Sequence, residues 1–156
     1  VDGNGVMLTS GDSISFAFID TEVTYSDTPE VIYLRLDASI GADGGAFVDF
    51  SKIDDSKSSE ITIPVYNFGL NEGDEKPSVW DGMTATFCEA VLFGVYFQLD
   101  VILDMFLGTS TTSINGVVCA EDVDLQNNEV PDLINLYVGG DGAELKVDNI
   151  RINYQF

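Results

Sequence analysis

The chain contains no histidine, and its 156 residues include only 6 Lys and Arg against 27 Asp and Glu. Without histidine, imidazole-based activation of a Ser or Cys nucleophile is excluded. The scarcity of basic residues argues against a nucleic-acid interface, because phosphate binding depends on Lys and Arg displacing counterions. The formal net charge of -21 opposes contact with an anionic lipid surface for the same reason. We therefore expect neither nucleic acid nor an anionic membrane among the partners.

Long apolar segments and two common ligand-binding motifs are also missing. The longest apolar run, Ala90 to Phe97, is far shorter than the roughly 20 residues that span a bilayer, so we expect no membrane insertion of the mature chain. There is no Gly-rich phosphate loop, and two cysteines cannot form a thiolate metal quartet. We expect no enzyme activity, although two Asp or Glu side chains with different pKa values would suffice for a glycosidase.

The two cysteines, Cys88 and Cys119, are separated by a stretch that is typical of a strand, a loop and a second strand. A disulfide between them would close a loop of about 30 residues and stabilise the fold by about 3 to 4 kcal/mol in the chain-entropy model. Two buried free thiols are the alternative. The chain begins at Val1 without Met or a charged and then apolar leader, as expected of a mature chain after signal removal. Together these features predict an extracellular or cell-surface location.

Apolar residues alternate with polar ones along much of the chain, which is the two-residue period of a β-strand. From Glu30 to Ile40 five apolar residues share one face, and from Val91 to Leu103 every second residue is apolar. The segment Ser13 to Tyr25 is apolar on both faces, which favours a central or covered strand. Pro64 within a further alternating segment indicates an edge strand or a bulge.

The second half of the chain also favours strands separated by turns. A helix from Asp100 to Leu107 is the competing interpretation of that segment. With about nine short strands and no internal repeat, the pattern predicts an all-β fold, an antiparallel β-sandwich or jelly roll. The later predicted strands are Gly116 to Ala120, Leu133 to Val138 and Ala143 to Phe156, and the turn-rich segments are Gly108 to Asn115, Asp122 to Asp132 and Gly139 to Gly142.

A short apolar segment near the N-terminus, made of Val6, Met7 and Leu8, is separated from the rest by the turn-like residues 10–12. It forms either an ordinary first strand or a donor strand that pairs with the sheet of a neighbouring subunit. Nothing in the local sequence decides between the two. Residues 1–12 are accordingly predicted to be an extension or donor strand, and residues 13–156 a single β-sandwich domain.

The acidic residues suggest a hard cation, because a compact surface with this much negative charge repels itself and its own copies. Calcium takes several oxygen ligands, and acidic and amide side chains cluster in the predicted loops. None of the clusters has the full spacing of an EF-hand loop, so a solvated loop is the simpler interpretation of any one of them. The candidate calcium ligands are Asp2, Asn4, Asp54, Asp55, Glu72, Asp74, Glu121, Asp122, Asp124, Asp141 and Asp148.

The last predicted strand changes its buried face part-way along. Leu145 and Val147 share one face, whereas Ile150 and the alternate residues that follow it share the other. A bulge at Asp148-Asn149 is the natural cause of such a switch. The bulge would turn the Asp148 carboxylate and nearby carbonyls in a shared direction, which gives a metal-binding or a turn-stabilising position.

The stretch Gly139 to Ile152 reads Gly-Gly-Asp-Gly-Ala-Glu-Leu-Lys-Val-Asp-Asn-Ile-Arg-Ile. It resembles the closing strand of β-sandwich carbohydrate-binding modules, where Asp-Asn-Ile or Asp-Asn-Val often occurs. In many of those modules the Asp helps to hold a structural calcium, which the resemblance places at Asp148. Such modules usually present exposed Trp and Tyr to the sugar. Trp80 and Tyr137 are the candidates for that platform here, with core packing as the alternative.

Two functions follow from these observations. The first is a secreted structural subunit that assembles with copies of itself into a filament, tube or surface layer through strand pairing, with calcium neutralising acidic contacts. In general character the chain is similar to the acidic β-sandwich subunits of archaeal and bacterial extracellular fibres and cannulae. The alternative is a calcium-stabilised carbohydrate-binding, lectin-like module whose partners are glycans.

Overall fold

The computed structural model of the chain describes residues 5–17, 29–41, 45–54 and 62–156. Within these ranges the structure contains twelve β-strands and no helix. In chain order the strands are β1 (Val6–Thr9), β2 (Ser13–Ala17), β3 (Val31–Ile40), β4 (Gly45–Ile53), β5 (Thr62–Leu70), β6 (Ser78–Trp80), β7 (Ala85–Phe87), β8 (Phe97–Asp104), β9 (Thr109–Ile114), β10 (Val117–Asp124), β11 (Leu133–Gly139) and β12 (Glu144–Gln155).

The strands form two six-stranded antiparallel sheets. Sheet A has the order β1-β12-β3-β8-β9-β10, and sheet B has the order β2-β11-β4-β5-β6-β7. The apolar faces of the two sheets pack against each other as one core. The predicted fold class, an antiparallel β-sandwich, is therefore confirmed. None of the described residues forms a helix of the length and apolarity that a membrane crossing requires.

Strand β3 shows how the alternating sequence builds this core. Ile32, Leu34 and Leu36 are buried between the sheets, whereas Tyr33 and Arg35 between them point to the outer face of sheet A. The predicted half-buried strand from Glu30 to Ile40 is confirmed. Each sheet therefore has a buried inner face and an outer face whose side chains are available to ligands.

Strand β5 contains a bulge at the proline. Phe50 on β4 pairs with Tyr66, but the next residue, Ser51, pairs with Pro64, so one extra residue of β5 lies between the two pairs. As a result Val65 and Tyr66 are both buried although they are consecutive. The bulge is confirmed; the edge-strand alternative is wrong, since β5 lies between β4 and β6.

Strand β12 contains the second predicted bulge. The register with β3 shifts between Asp148 and Arg151, and Asn149 has a positive φ of 54°. Before the bulge Leu145 is buried in the core, and after it Ile150 packs against the core. The predicted bulge at Asp148-Asn149 is confirmed.

The predicted strand from Val91 is wrong over its first six residues. The segment turns at Gly94, which has a φ of 73° and donates its N–H to the Ile40 carbonyl at 2.8 Å. The strand β8 begins only at Phe97, and Leu92 and Val95 are exposed. The alternating apolar residues before Phe97 belong to a loop. The positive φ of Gly94 is incompatible with an extended strand at this point.

Three other expectations are corrected. The alternative helix from Asp100 to Leu107 is a strand followed by a turn, in which Asp104 Oδ1 accepts the backbone N–H groups of Phe106 and Leu107. The predicted turn region Gly108 to Asn115 contains strand β9, and β10 continues to Asp124 inside the next predicted turn region. The Ser13 strand, β2, is the outermost described strand of sheet B rather than a central one, and residues 18–25 of its prediction lie outside the described residues.

The N-terminal segment Val6, Met7 and Leu8 belongs to β1, which pairs with β12 of the same chain. Leu8 is buried in the core, and Met7 is exposed on the outer side of the sheet. This is the first of the two arrangements that the sequence left open, and strand donation to a neighbour stays a prediction. From β1 the chain crosses to β2, so it passes from the outermost described strand of sheet A to the outermost described strand of sheet B.

At the other margin of the sandwich, Cys88 and Cys119 are joined by a disulfide with an S–S distance of 2.03 Å. Cys88 follows β7, the outermost described strand of sheet B, and Cys119 lies on β10, the outermost described strand of sheet A. The bridge therefore connects the two sheets covalently. It is compatible with the expected extracellular location.

Candidate functional site

A row of polar and aromatic side chains crosses the outer face of sheet B. Directly paired residues on neighbouring strands lie on the same side of a sheet. The residues that alternate with the row, such as Val48 and Ile134, are buried, so the row faces outward. Its members, from β2 to β6, are Ser15, Asn135, Asp49, Asn67 and Trp80, and we call them the polar row.

An aromatic pair lies beside the polar row. Phe47 and Tyr137 are cross-strand partners whose rings stack with their centroids 4.8 Å apart and an interplanar angle of 16°. Phe47 lies over Gly69 on the next strand, where a Cβ atom would collide with the ring. The absence of a side chain at Gly69 lets this ring lie against the sheet. The pair thus forms a flat aromatic surface next to amide and carboxylate groups.

Hydrogen bonds orient the centre of the row. The Asn67 side-chain amide donates to Asp49 Oδ1 and also to the Tyr137 hydroxyl at 3.4 Å. The Asp49 carboxylate also lies near the Tyr137 hydroxyl, and each group affects the pKa of the other. At the β2 end, the Ser15 hydroxyl donates to Asn135 Oδ1 at 2.6 Å. Side chains held by one another in this way present donors and acceptors in defined directions.

Burial raises the pKa of Asp49 to about 6, although its hydrogen bonds to Asn67 and Tyr137 act in the opposite direction. Burial, together with the negative charge of Asp49, also raises the pKa of Tyr137. The tyrosine hydroxyl is therefore a protonated donor at neutral pH, while the carboxylate is an acceptor that gains a proton under mildly acidic conditions. The two groups form the centre of the polar surface on the outer face of sheet B.

A depression of about 550 Å³ opens beside the row and is lined by residues of β2, β4, β5 and β11. Ser13 and Thr62 contribute hydroxyl groups to it, and Leu133 contributes an apolar side chain. Asp49 is the single carboxylate among the described residues that line it. The depression combines apolar surface with a few placed polar groups, which is the usual make-up of a small-ligand site.

The two residues predicted as a sugar platform both lie on this face. Tyr137 belongs to the stacked pair on β11, and Trp80 ends the polar row on β6 with 40% of its surface exposed. Three strand spacings, or about 14 Å across the sheet, separate them, and they also lie in neighbouring rows, so they do not form one continuous surface. Tyr137 and Trp80 instead stand at two positions along the same face.

The predicted calcium ligands are distributed over several regions. Asp2, Asn4 and Asp55 lie outside the described residues. Among the residues that the structure does describe, no three Asp, Glu or Cys side chains converge as a metal site would require. Calcium binding therefore stays a prediction. Of the remaining candidates, Asp54 follows β4, Glu72 and Asp74 lie in the β5–β6 connection, Glu121, Asp122 and Asp124 lie on β10, Asp141 lies in the β11–β12 turn, and Asp148 lies on β12.

Asp148 has a structural role at the bulge. Its Oδ1 accepts the backbone N–H of Asn149 at 2.8 Å, and the Asn149 side-chain amide donates to Asp37 Oδ2 at 2.6 Å. Asp37 is the direct cross-strand partner of Asp148. These bonds hold Asn149 in its left-handed conformation. Of the two roles that the sequence allowed for Asp148, metal binding or turn stabilisation, this arrangement corresponds to the second.

The acidic residues of β10 have a different setting. This outermost strand has two register irregularities, between Val118 and Ala120 and between Ala120 and Val123, and Asp122 has a φ of 53°. Bulges and charged side chains on an outermost strand discourage pairing with another sheet. The acidic cluster at Glu121 and Asp122 is therefore explained without a metal.

Other solved structures contain the fold of this chain. A protein named sialidase matches 96% of this chain with a TM-score of 0.71 and 11% identity, and the chain spans 15% of its length. The Caenorhabditis elegans galectin LEC-6 matches 94% of this chain and 95% of its own, with a TM-score of 0.58 and 12% identity. The chain therefore shares the β-sandwich fold of these proteins.

An alginate lyase from Pseudomonas aeruginosa, PA1167, has a TM-score of 0.55 and 13% identity over 81% of this chain and 66% of its own. At such identities the likeness concerns the fold alone. No family model and no curated protein matches the sequence.

The sequence did not single out Asp49, Asn67 or Asn135. Each is a polar residue between two large apolar residues, as in Val-Asp-Phe, Tyr-Asn-Phe and Ile-Asn-Leu. That pattern is a usable signal, since a lone amide or carboxylate at the outward position of an apolar strand has no packing role. Their alignment in one row depends on the pairing of three strands, which no local pattern predicts.

Proposed function

We propose that this protein is a carbohydrate-binding module whose sugar-contacting surface is the polar row together with the Phe47–Tyr137 pair. The polar row is the observation on which this proposal depends. Sugars combine hydroxyl groups, which need paired donors and acceptors, with C–H faces, which pack on aromatic rings. The outer face of sheet B presents both kinds of group in one plane, with Asn135 and Asp49 beside the stacked rings.

The fold supports this proposal. The galectin aligns along nearly its whole length with nearly the whole of this chain. The likeness to the sialidase covers 15% of that protein, so it concerns the fold and carries nothing about that protein's activity. Fold alone does not determine function, and for that reason the argument depends on the side chains of the site.

We favour binding over catalysis at this face. Canonical glycosidases need two carboxyl groups between about 5 and 10 Å apart. Among the described residues that line the depression, Asp49 has no second carboxylate beside it. Its raised pKa follows from burial, and the hydrogen bond that it accepts from Asn67 gives it an orienting role.

A glycan array followed by calorimetric titration tests the proposal. Trp80→Ala alters one end of the row and Asn135→Ala a position near the other end, and we expect each to weaken binding of an array hit by about tenfold. Phe106→Ala is the matched control, because Phe106 is an aromatic residue on the β8–β9 turn with 85% of its surface exposed. Saturable binding that neither row variant weakens would refute the proposal, as would a folded protein that binds no glycan on the array.

A secreted subunit that assembles through strand pairing is our second proposal. It is favoured by β1, the short outermost strand of sheet A among the described residues, which exposes Met7, whereas β10 at the other margin is bulged and acidic. We expect calcium to raise light scattering reversibly and Met7→Lys to suppress the rise, because a charge blocks edge pairing. Met83→Lys, on an exposed turn, is the control. Scattering that is unchanged by calcium would end this proposal.

A further inference from the structure

The two arginines of the chain lie side by side on the outer face of sheet A, on the opposite side of the sandwich from the polar row. Arg151 on β12 is the direct cross-strand partner of Arg35 on β3. The chain has only 6 basic residues and a net charge of -21. Two of these few basic residues nevertheless occupy directly paired positions. Like charges directly opposite each other destabilise a sheet.

The bulge in β12 produces this placement. In an uninterrupted strand, Arg151 would share the inward parity of Leu145 and Val147. The extra residue at Asn149 reverses the parity, so Arg151 faces outward and Ile150 faces the core. The bonds that hold Asn149 in its positive φ therefore also hold Arg151 opposite Arg35.

Only one of the two arginines has a carboxylate partner within the described part of the chain. Arg35 Nε donates to Asp100 Oδ1 at 2.5 Å, and Asp100 Oδ2 also accepts the Gln98 amide at 2.7 Å. Arg151 is exposed and forms no ion pair with any described residue. One positive charge is thus left uncompensated at the pair.

The arginines line a depression of about 480 Å³ whose other groups suit a sugar ring. Tyr33 and Asn153, which are cross-strand partners in the neighbouring row, lie on one side, and Ser113 lies on the side of β9. Tyr33 is 37% exposed, and its hydroxyl donates to Gln155 at 3.2 Å. An aromatic ring with amide and hydroxyl groups beside it can pack on a sugar and bond its hydroxyl groups.

We propose that this depression binds an acidic saccharide through its single carboxylate, which Arg35 and Arg151 hold between them. Guanidinium groups bind carboxylates in two-bond geometry, and an anion between the two arginines removes their repulsion. The ligand carries one charge rather than many, because Asp37 and Asp100 on the same face and the net charge of the protein repel a polyanion. This site lies on the other sheet and does not depend on the polar row.

Nuclear magnetic resonance of the full isotope-labelled chain tests the proposal, with D-glucuronate, D-glucose and acetate as probes. We expect glucuronate to shift the Nε–H signals of both arginines saturably, acetate to bind more weakly, and glucose to leave the signals unchanged. Arg151→Ala should weaken glucuronate binding by about tenfold or more. Lys76→Ala removes the same charge from the β5–β6 connection and should leave the glucuronate-induced shifts of the arginine signals unchanged.

Each contrary result has a defined meaning. Absence of saturable shifts with glucuronate would overturn the site, and equal affinities for glucuronate and glucose would overturn the role of the arginines. Equal affinities for glucuronate and acetate would overturn the saccharide part of the proposal. If Lys76→Ala weakened glucuronate binding as much as Arg151→Ala does, the effect would be one of general charge, and the arginine site would be overturned. A loss of glycan-array binding in Trp80→Ala without a change in glucuronate binding concerns only the polar row on the other face.

Discussion

Replacing the buried carboxylate of Asp49 with an amide should make the stability of the protein less dependent on pH. Burial raises the pKa of Asp49 to about 6 in the folded protein, from an ordinary value of 3.8. Between these values the unfolded chain has released the proton while the folded protein retains it. Folding stability from this group therefore falls as the pH rises through that window. The difference corresponds to about 3 kcal/mol at neutral pH.

Asp49→Asn isolates this contribution. The amide has nearly the shape of a protonated carboxyl group, and its oxygen can still accept the Asn67 amide hydrogen bond. Below about pH 3 the variant and the parent protein should have similar free energies of unfolding, because Asp49 is then neutral in both the folded and the unfolded parent protein. Above about pH 7 the variant should be more stable by up to about 3 kcal/mol.

Urea denaturation of both proteins across this pH range measures their free energies of unfolding. The contributions of the other acidic groups cancel when one free energy is subtracted from the other. Asp81→Asn is a control of opposite sign. Hydrogen bonds from the backbone and side chain of Thr84 lower the pKa of Asp81, so its replacement should reduce stability at neutral pH and have little effect in acid. A difference between Asp49→Asn and the parent that stays constant with pH would refute the argument from burial.

Three further predictions concern other parts of the sandwich. Replacing Cys88 and Cys119 together with Ala should lower the free energy of unfolding in urea by about 3 to 4 kcal/mol, since the disulfide closes a long loop; an unchanged midpoint contradicts this. Thr112→Val should cost about 1 to 3 kcal/mol in the same assay, because it leaves the buried Tyr66 hydroxyl, now 2.9 Å from Thr112 Oγ1, without a partner. Adding Tyr66→Phe should recover part of that loss, and no recovery would argue against it. If calcium binds at Asp148 and nearby acids, the melting temperature should rise with calcium and fall back in EDTA; a melting curve insensitive to both removes the metal.

The sequence predicted those elements whose signals are local. The alternation from Glu30 to Ile40, the proline in β5 and the change of face at Asp148-Asn149 each report a backbone geometry within a few residues. Such features depend on side-chain period and on backbone conformations that particular residues favour. They can therefore be recognised without knowledge of the partner strands.

The features that the sequence did not predict depend on contacts between distant segments. The Thr- and Ser-rich strand β9 resembled a turn region, yet Ser110 and Thr112 are buried because Val123 and Tyr66 supply hydrogen-bond partners. A polar residue can be buried when its partner is present, and the partner is not visible locally. The polar row was missed for the same reason, since Asn135 and Asp49 meet only through the order of strands in sheet B.

The two margins of the sandwich are closed by different means. At one margin the backbone itself crosses between the sheets from β1 to β2, through a turn in which Asp12 accepts the Thr9 N–H. At the other margin the Cys88–Cys119 bridge connects the outermost strands. The layers therefore cannot slide past each other or splay at either side without loss of a turn or a covalent bond. We therefore expect large-scale separation of the two layers to require either reduction of the disulfide or loss of the β1–β2 turn.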